Sequence, residues 1–148
     1  MLPIISIYLV LKDLNYTTED ALNHTDKIMQ ICRINMKKKN QMIGKLPFGY
    51  FLFKNFSKWV VEKQYPDSGW NIKWMKYDQD EVHFDMTSCI YVEMTKKYHC
   101  SELCPLFCAN DDVTLSGFQP SIIFKREKTI ARGQDLCDFH FYNSKIVK

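Results

Sequence analysis

The sequence predicts an α+β domain: N-terminal helices packed on a four-stranded antiparallel sheet, with one or two helices between the strand pairs. Two observations carry this. Apolar residues recur at helical spacing from Pro3 to Tyr65, and the period switches to two at Trp70. A second period-two run, Cys137 to Tyr142, follows further helical pieces downstream. All 148 residues read as a single domain, with 1–65 helical and 66–148 a sheet with inserted helices.

Pro3 suits the first turn of a helix. Ile4, Tyr8 and Leu11 share its face, Ile5 and Leu9 lie beside them, and Asn15 or Tyr16 ends it. Thr17-Thr18-Glu19-Asp20 then supplies a hydroxyl cap and first-turn acids for a second helix. Its stripe is Leu22, Met29, Cys32, Met36 and Ile43, so Cys32 is expected as a small core hydrophobe. Gly44 and Pro47 punctuate the chain. Phe48 to Tyr65 is a third helix, expected to bury Phe48, Phe51, Leu52, Phe56, Trp59 and Val60, with Tyr50 and Phe53 off that face. A helix this aromatic suits burial on two sides; lining a lipid or acyl pocket is the other option.

Pro66 to Gly69 is a turn cluster. Trp70, Ile72 and Trp74 then face one way, and Asn71, Lys73 and Met75 the other. After a polar turn at Asp78-Gln79-Asp80, Val82, Phe84 and Met86 alternate with His83 and Asp85, completing a hairpin. His83 is expected in solvent and not on a metal. Thr87 or Ser88 caps a helix starting at Cys89, with Ile90, Met94 and Tyr98 on one stripe and Cys89, Val92 and Lys96 on another. Another helical piece starts near Ser101, and Pro105 is tolerated only near its start. The last two β-type runs are Phe124-Lys125-Arg126 continuing to Thr129-Ile130-Ala131, and Cys137 to Phe141, with a turn at Arg132-Gly133-Gln134 between them.

Composition excludes several classes. A net charge of +3 is too small and too scattered for a nucleic-acid surface, and Lys37-Lys38-Lys39 reads as a solvated helix face. Leu2 to Leu11 lacks a basic flank and a cleavage site. It is also far short of the ~20 apolar residues that span a bilayer. The six cysteines are therefore expected as reduced thiols in a cytoplasm. The expected partner is a small molecule, with no nucleic acid and no membrane; a homo-oligomer is left open.

The last strand concentrates the chemistry. Cys137, Phe139 and Phe141 share the helix-covered face; Asp138, His140 and Tyr142 share the other. Ile122, Phe124 and Arg126 share a parity, so Arg126 is a cation on the core side. That is costly unless it meets an anion or reaches past the sheet end to solvent. Cys89, in the first turn of its helix, is a thiol whose pKa a helix dipole could lower, or a buried structural cysteine. Cys100, Cys104 and Cys108 are spaced by four, with Cys137 and His140 as further donors. The spacing is wrong for a zinc knuckle, and Cys137 and His140 point to opposite faces. No metal and no cofactor is expected.

Several blocks together resemble the L-2-amino-thiazoline-4-carboxylic acid hydrolase family. They are Thr87-Ser88-Cys89, Glu102-Leu103-Cys104-Pro105-Leu106-Phe107-Cys108-Ala109-Asn110-Asp111, Phe124-Lys125-Arg126, Thr129-Ile130-Ala131-Arg132-Gly133 and Cys137-Asp138-Phe139-His140-Phe141. The motifs cover roughly the C-terminal half. The resemblance implies a bacterial cytoplasmic enzyme of cysteine metabolism that opens a 2-aminothiazoline ring to N-carbamoyl-L-cysteine. Such chemistry needs a nucleophile or base, a proton donor and a cation for the substrate carboxylate. Arg126 fits the cation, with Cys89 also placed at the substrate. Cys108 or Cys137 could attack covalently. Asp111 or His140 could act as base, with Asp138 orienting the imidazole. Parity splits these candidates between the two faces, and the set of thiol, Arg126 and Asp111 is favoured because a pocket between sheet and helices excludes water better. A non-catalytic small-ligand binding or sensor domain on the same scaffold is the alternative.

Overall fold

The computed structural model describes residues 1–146. Five helices and four strands run in the order α1 (Leu2–Asp13), α2 (Thr18–Gly44), α3 (Gly49–Gln64), β1 (Ile72–Tyr77), β2 (Glu81–Met86), α4 (Ile90–Lys97), α5 (Cys104–Leu115), β3 (Ile122–Lys125) and β4 (Cys137–Asn143). Short 3-10 turns occupy Ser101–Leu103, Ser116–Phe118 and Ile130–Arg132. The strands form one antiparallel sheet in the order β1-β2-β4-β3. The α+β class, the hairpin and the four strands are as the sequence predicts.

Local chemistry explains the boundaries. Pro3 sits in the first turn of α1, and the chain leaves that helix through Asn15 at a φ of 63°. Thr17 Oγ1 accepts from the Asp20 N–H at 3.1 Å, which caps α2. Pro105 lies in the first turn of α5, where a missing N–H costs nothing. Asp78 Oδ1 accepts from the amides of Asp80 and Glu81 and closes the β1–β2 turn. Two backbone approaches require glycine. A Cβ on Gly44 would stand 2.3 Å from the Phe118 carbonyl oxygen, and one on Gly117 would stand 2.5 Å from that of Lys37. Helix α2 thus lies directly against the 116–118 turn.

Two apolar cores result. One covers the inner sheet face, where Val82, Phe84, Met86, Ile122, Cys137, Phe139 and Phe141 meet Tyr50, Val61 and Phe118. The other joins α1 and α2 to α5 through Ile5, Tyr8, Ala21, Met29, Leu103 and Phe107. Tyr8 Oη donates to Glu102 Oε1 at its edge.

Four expectations need correction. The buried stripe of α2 is Ala21, Thr25, Met29 and Arg33, so Cys32 is exposed, as is Met36. Arg33 is held there by Asp26 at 2.5 Å. Helix α3 is rotated from its expected orientation: Tyr50, Ser57 and Val61 are buried, while Phe48, Phe51, Phe56 and Trp59 are more than half exposed. Apolar residues ring this helix, so hydrophobicity alone does not choose its inner face; the small Gly49 and Ser57 allow close approach. In α4 neither expected stripe is the buried one, and Thr95 is the buried residue, backed by Tyr91 stacked on Phe107. Finally, Ile130 and Ala131 form a 3-10 turn and not a strand, because Gly133 at φ 86° turns the chain back.

Candidate functional site

Helices α2, α3 and α5 stand off the inner sheet face and enclose a cavity of about 470 Å³. Its walls are mostly apolar: Met36 and Ile43 of α2, Leu52, Phe53, Phe56 and Val60 of α3, Leu115 of α5, and Phe84, Phe139 and Phe141 of the sheet. The polar groups are few. Asp111, Asn110 and Thr114 come from α5, Asn40 from α2, and Ser57, Gln64 and Tyr65 from α3 and its end. Among the described residues no Lys, Arg or His lines the wall. A largely apolar cleft with a few converging polar groups is the usual form of a small-molecule site.

Asp111 is the carboxyl group of this wall, and its surroundings are built. Just past the end of β3, Arg126 turns inward with its side chain 2% exposed. Its Nη2 donates to Asp112 Oδ1 at 2.6 Å and to the Cys108 carbonyl at 2.8 Å, and its Nη1 reaches Asp111 Oδ2 at 3.5 Å. The guanidinium lies 5.0 Å from the centre of the Phe139 ring. The core-side cation thus meets its anions within the chain. Burial pushes the Asp111 carboxyl up to about 6, although Arg126 pulls it down; Asp112 adds to the rise. The same burial raises the Tyr65 phenol well above its usual range.

Cys89, Cys108, Asp111, Arg126 and Cys137 lie near one another on the inner side of the sheet, although parity spoke only for Cys137 and Arg126. This placement does not make the thiols reactive. Burial pushes Cys108 up to about 12 against the pull of Arg126, and Cys104 up to about 11. Burial also raises Cys137, whose Sγ accepts from the Ile130 amide at 3.3 Å. Cys89 is the N-cap of α4, one position before the helix, and burial outweighs its backbone donors and raises it too. None of these sulfurs lines the cavity. Arg126 is likewise bonded behind the wall, so its position corrects the expectation of a guanidinium held out to a substrate carboxylate.

An alkylation experiment follows. At neutral pH iodoacetamide labels Cys32 first, because it is exposed, and labels Cys108 and Cys137 slowly, because each is buried and protonated. Mass-spectrometric mapping of a time course checks this. Early labelling of Cys108 or Cys137 in folded protein would contradict the picture of inert core thiols.

Asp138 and His140 lie on the outer sheet face, away from the cavity. Asp138 Oδ1 accepts from the amides of Glu127 and Lys128, which fixes the irregular segment after β3. Its Oδ2 stands 3.6 Å from His140 Nε2, the loose contact expected of same-face neighbours on one strand. His140 Nδ1 is held instead by Glu81 Oε1 at 2.7 Å. Sequence reasoning missed Glu81, Asp112 and Tyr65. For Glu81 only part of the signal lies in the sequence: it shares strand parity with His83, while the register that sets it beside His140 is displayed only by the assembled sheet.

A model of the L-2-amino-thiazoline-4-carboxylic acid hydrolase family matches residues 9–141. No curated protein matches the chain. Two solved structures are similar. One is an H-NOX domain from Shewanella oneidensis in its Fe(II)CO ligation state, at 15% identity and TM-score 0.34, covering 94% of this chain and 72% of that one. The other is a trafficking protein particle complex subunit 3 from Naegleria fowleri covalently bound to palmitic acid. Its identity is 11% and its TM-score 0.36, covering 96% of this chain and 95% of that one. Likenesses this distant carry no argument.

Proposed function

Since the chain belongs to the L-2-amino-thiazoline-4-carboxylic acid hydrolase family, we propose that it hydrolyses a small amidine-like ring in the cavity between α2, α3, α5 and the sheet. The observation that carries this reading is a carboxyl group, that of Asp111, set on the wall of an apolar cavity and backed by Arg126, with burial pushing it up to about 6. Such a group is mostly ionised at neutral pH and is a stronger base than an ordinary carboxylate, close to the pKa at which a general base works best.

The steps balance with Asp111 alone. The amidine end of the ring, protonated in water, pairs with the Asp111 carboxylate. A water attacks the carbon between nitrogen and sulfur, and its proton passes to Asp111. The carbon–sulfur bond then breaks and the sulfur takes that proton as it leaves; the proton still on the former water oxygen passes to the freed Asp111 carboxylate and on to solvent, and a neutral carbamoyl group remains on nitrogen. No protein thiolate takes part, which accords with thiols held protonated behind the wall. Arg126 positions Asp111 and keeps its pKa from rising further.

The cavity also bears on the substrate. A ring carrying a carboxylate finds no cation on this wall among the described residues. An apolar or aromatic ring substituent, by contrast, would bury against Leu52, Phe53 and Phe141. We therefore assign the chain to hydrolysis of 2-aminothiazoline-type rings bearing an apolar substituent, in preference to the carboxylate that gives the family its name. Binding without turnover is the second reading, favoured by a wall that is aromatic and aliphatic almost throughout.

A panel of 2-aminothiazolines, carboxylated, alkylated and arylated, separates these. Calorimetry measures binding, and mass spectrometry detects the ring-opened product by its gain of one water. The expected result is turnover of the apolar members, with a rate that rises through about pH 6 as Asp111 ionises. Binding without ring opening would favour the second reading, and no binding at all would remove the cavity from consideration.

A further inference from the structure

The outer face of the sheet carries a cluster that the cavity chemistry does not use. His83 of β2 and His140 of β4 are directly opposite in register, with rings stacked 3.8 Å apart. Glu81, two residues before His83 on the same face, reaches His140 Nδ1. One ligand atom from each of Glu81, His83 and His140 lies within 4.8 Å of the others. The far side of each ring is also engaged. His83 Nε2 contacts Asp85 Oδ1 at 3.0 Å, and His140 Nε2 faces Asp138 Oδ2 at 3.6 Å.

We propose that Glu81, His83 and His140 form a binding site for a divalent transition metal of the zinc class. Two imidazoles and a carboxylate are the donors such an ion takes, and hard oxygen-seeking ions such as Mg²⁺ and Ca²⁺ do not favour two nitrogens. Ligating imidazoles characteristically point the other nitrogen at a carboxylate, which fixes the tautomer and raises basicity. Here Asp85 and Asp138 stand at those positions, and Asp138 is itself locked by two backbone amides. That leaves the Nδ1 atoms for the ion, which would displace the Tyr142 hydroxyl now 3.2 Å from His140 Nδ1. Glu81 offers Oε1, while its Oε2 lies 3.5 Å from Lys76 Nζ.

The geometry is within reach. A tetrahedral zinc with bonds of ~2.0–2.1 Å sets its ligand atoms ~3.3 Å apart. The three groups would draw together from within 4.8 Å, through a ring rotation that breaks the stack. Three protein ligands leave the fourth position to water. All three side chains are at most about one-fifth exposed, so the ion would sit in a shallow, half-buried polar seat across β2 and β4.

The test is a calorimetric titration of chelator-stripped full-length protein with ZnCl₂. One ion is expected to bind per chain. Glu81→Gln and His83→Asn each weaken binding by at least ~100-fold, and Asp85→Asn, which touches only the outer side of His83, weakens it ~10–100-fold. Cys32→Ser leaves the affinity unchanged, which separates this site from the exposed thiol. Co²⁺ bound in place of zinc shows no thiolate charge-transfer band. Circular dichroism confirms that each variant is folded; Glu81→Gln is nearly isosteric and keeps the test decisive if a histidine variant does not fold. Zinc binding that persists in Glu81→Gln and His83→Asn, that is lost in Cys32→Ser, or that brings a thiolate band overturns the proposal, as does the absence of binding to the wild-type chain.

Discussion

Arg126→Ala is expected to lower the stability of the domain by about 3–5 kcal/mol at pH 7, the usual cost of stripping one partner from a buried ion pair. Most of that cost comes from Asp111, which loses its nearest cation in a dry setting. Asp112 contributes less, since 46% of its side chain is exposed and water screens its charge. The loss should depend on pH, and the sign is fixed by Asp111. Its folded pKa, about 6, lies above the unfolded value of ~3.9. Protonated Asp111 therefore favours the fold below about pH 4, and that contribution is lost as pH rises through 6. Without Arg126 the carboxyl moves higher still, so the penalty should be smaller at pH 5 than at pH 7. Urea denaturation at both values measures this. A loss below about 1 kcal/mol at pH 7, or the same loss at both, would mean that the ion pair is not holding this corner together. Arg126→Lys should fall between wild type and Ala, because a single ammonium cannot span Asp112, Asp111 and the Cys108 carbonyl at once.

Asp111→Asn should abolish hydrolysis while sparing the fold. Loss of a general base typically costs 10²–10⁴-fold in rate, and kcat/KM on a 2-aminothiazoline that the wild type opens should fall by about that much. Stability at pH 7 should be held or increased, since an amide carries no charge to desolvate and Arg126 keeps Asp112 and the Cys108 carbonyl. The combination is diagnostic. A purely structural Asp111 would change stability and leave the rate of folded protein intact. Asp112→Asn is the control: it alters the same ion-pair network from a position off the cavity wall, and should leave most of the turnover.

The sheet was legible because strand alternation is read directly from residue type: Val82, Phe84 and Met86, then Cys137, Phe139 and Phe141, all fall on the buried face. Cap chemistry likewise placed the start of α2 at Thr17. The helix faces were harder for a physical reason. Helix α2 packs through Ala21, Thr25 and Gly44, residues selected for small size, so a stripe drawn by hydrophobicity ran through Cys32 instead. Helix α3 has aromatic residues on every side, and its partner surfaces decide which turn inward. For the site, strand parity brought Arg126 and Cys137 to one side. It could not reveal that Asp112 already occupies the guanidinium, because that depends on where α5 ends against β3. The Glu81, His83 and His140 cluster depends on β2 lying next to β4, a neighbour relation that only the assembled sheet displays.

The strand order has a consequence for how the chain reaches its final state. In β1-β2-β4-β3, the fourth strand to leave the ribosome lies between the second and third. A nascent chain that has emerged only through Lys125 has the β1–β2 hairpin, but β3 has no strand to pair with. The exposed edge of β2 stays open until Cys137–Asn143 arrives and bonds on both sides. Closure across more than fifty residues carries a loop-entropy cost before any contact repays it, so sheet assembly should be the slow step of folding. Until then the open β2 edge, with Val82, Phe84 and Met86 uncovered, is where a chain stalled in synthesis would pair with another.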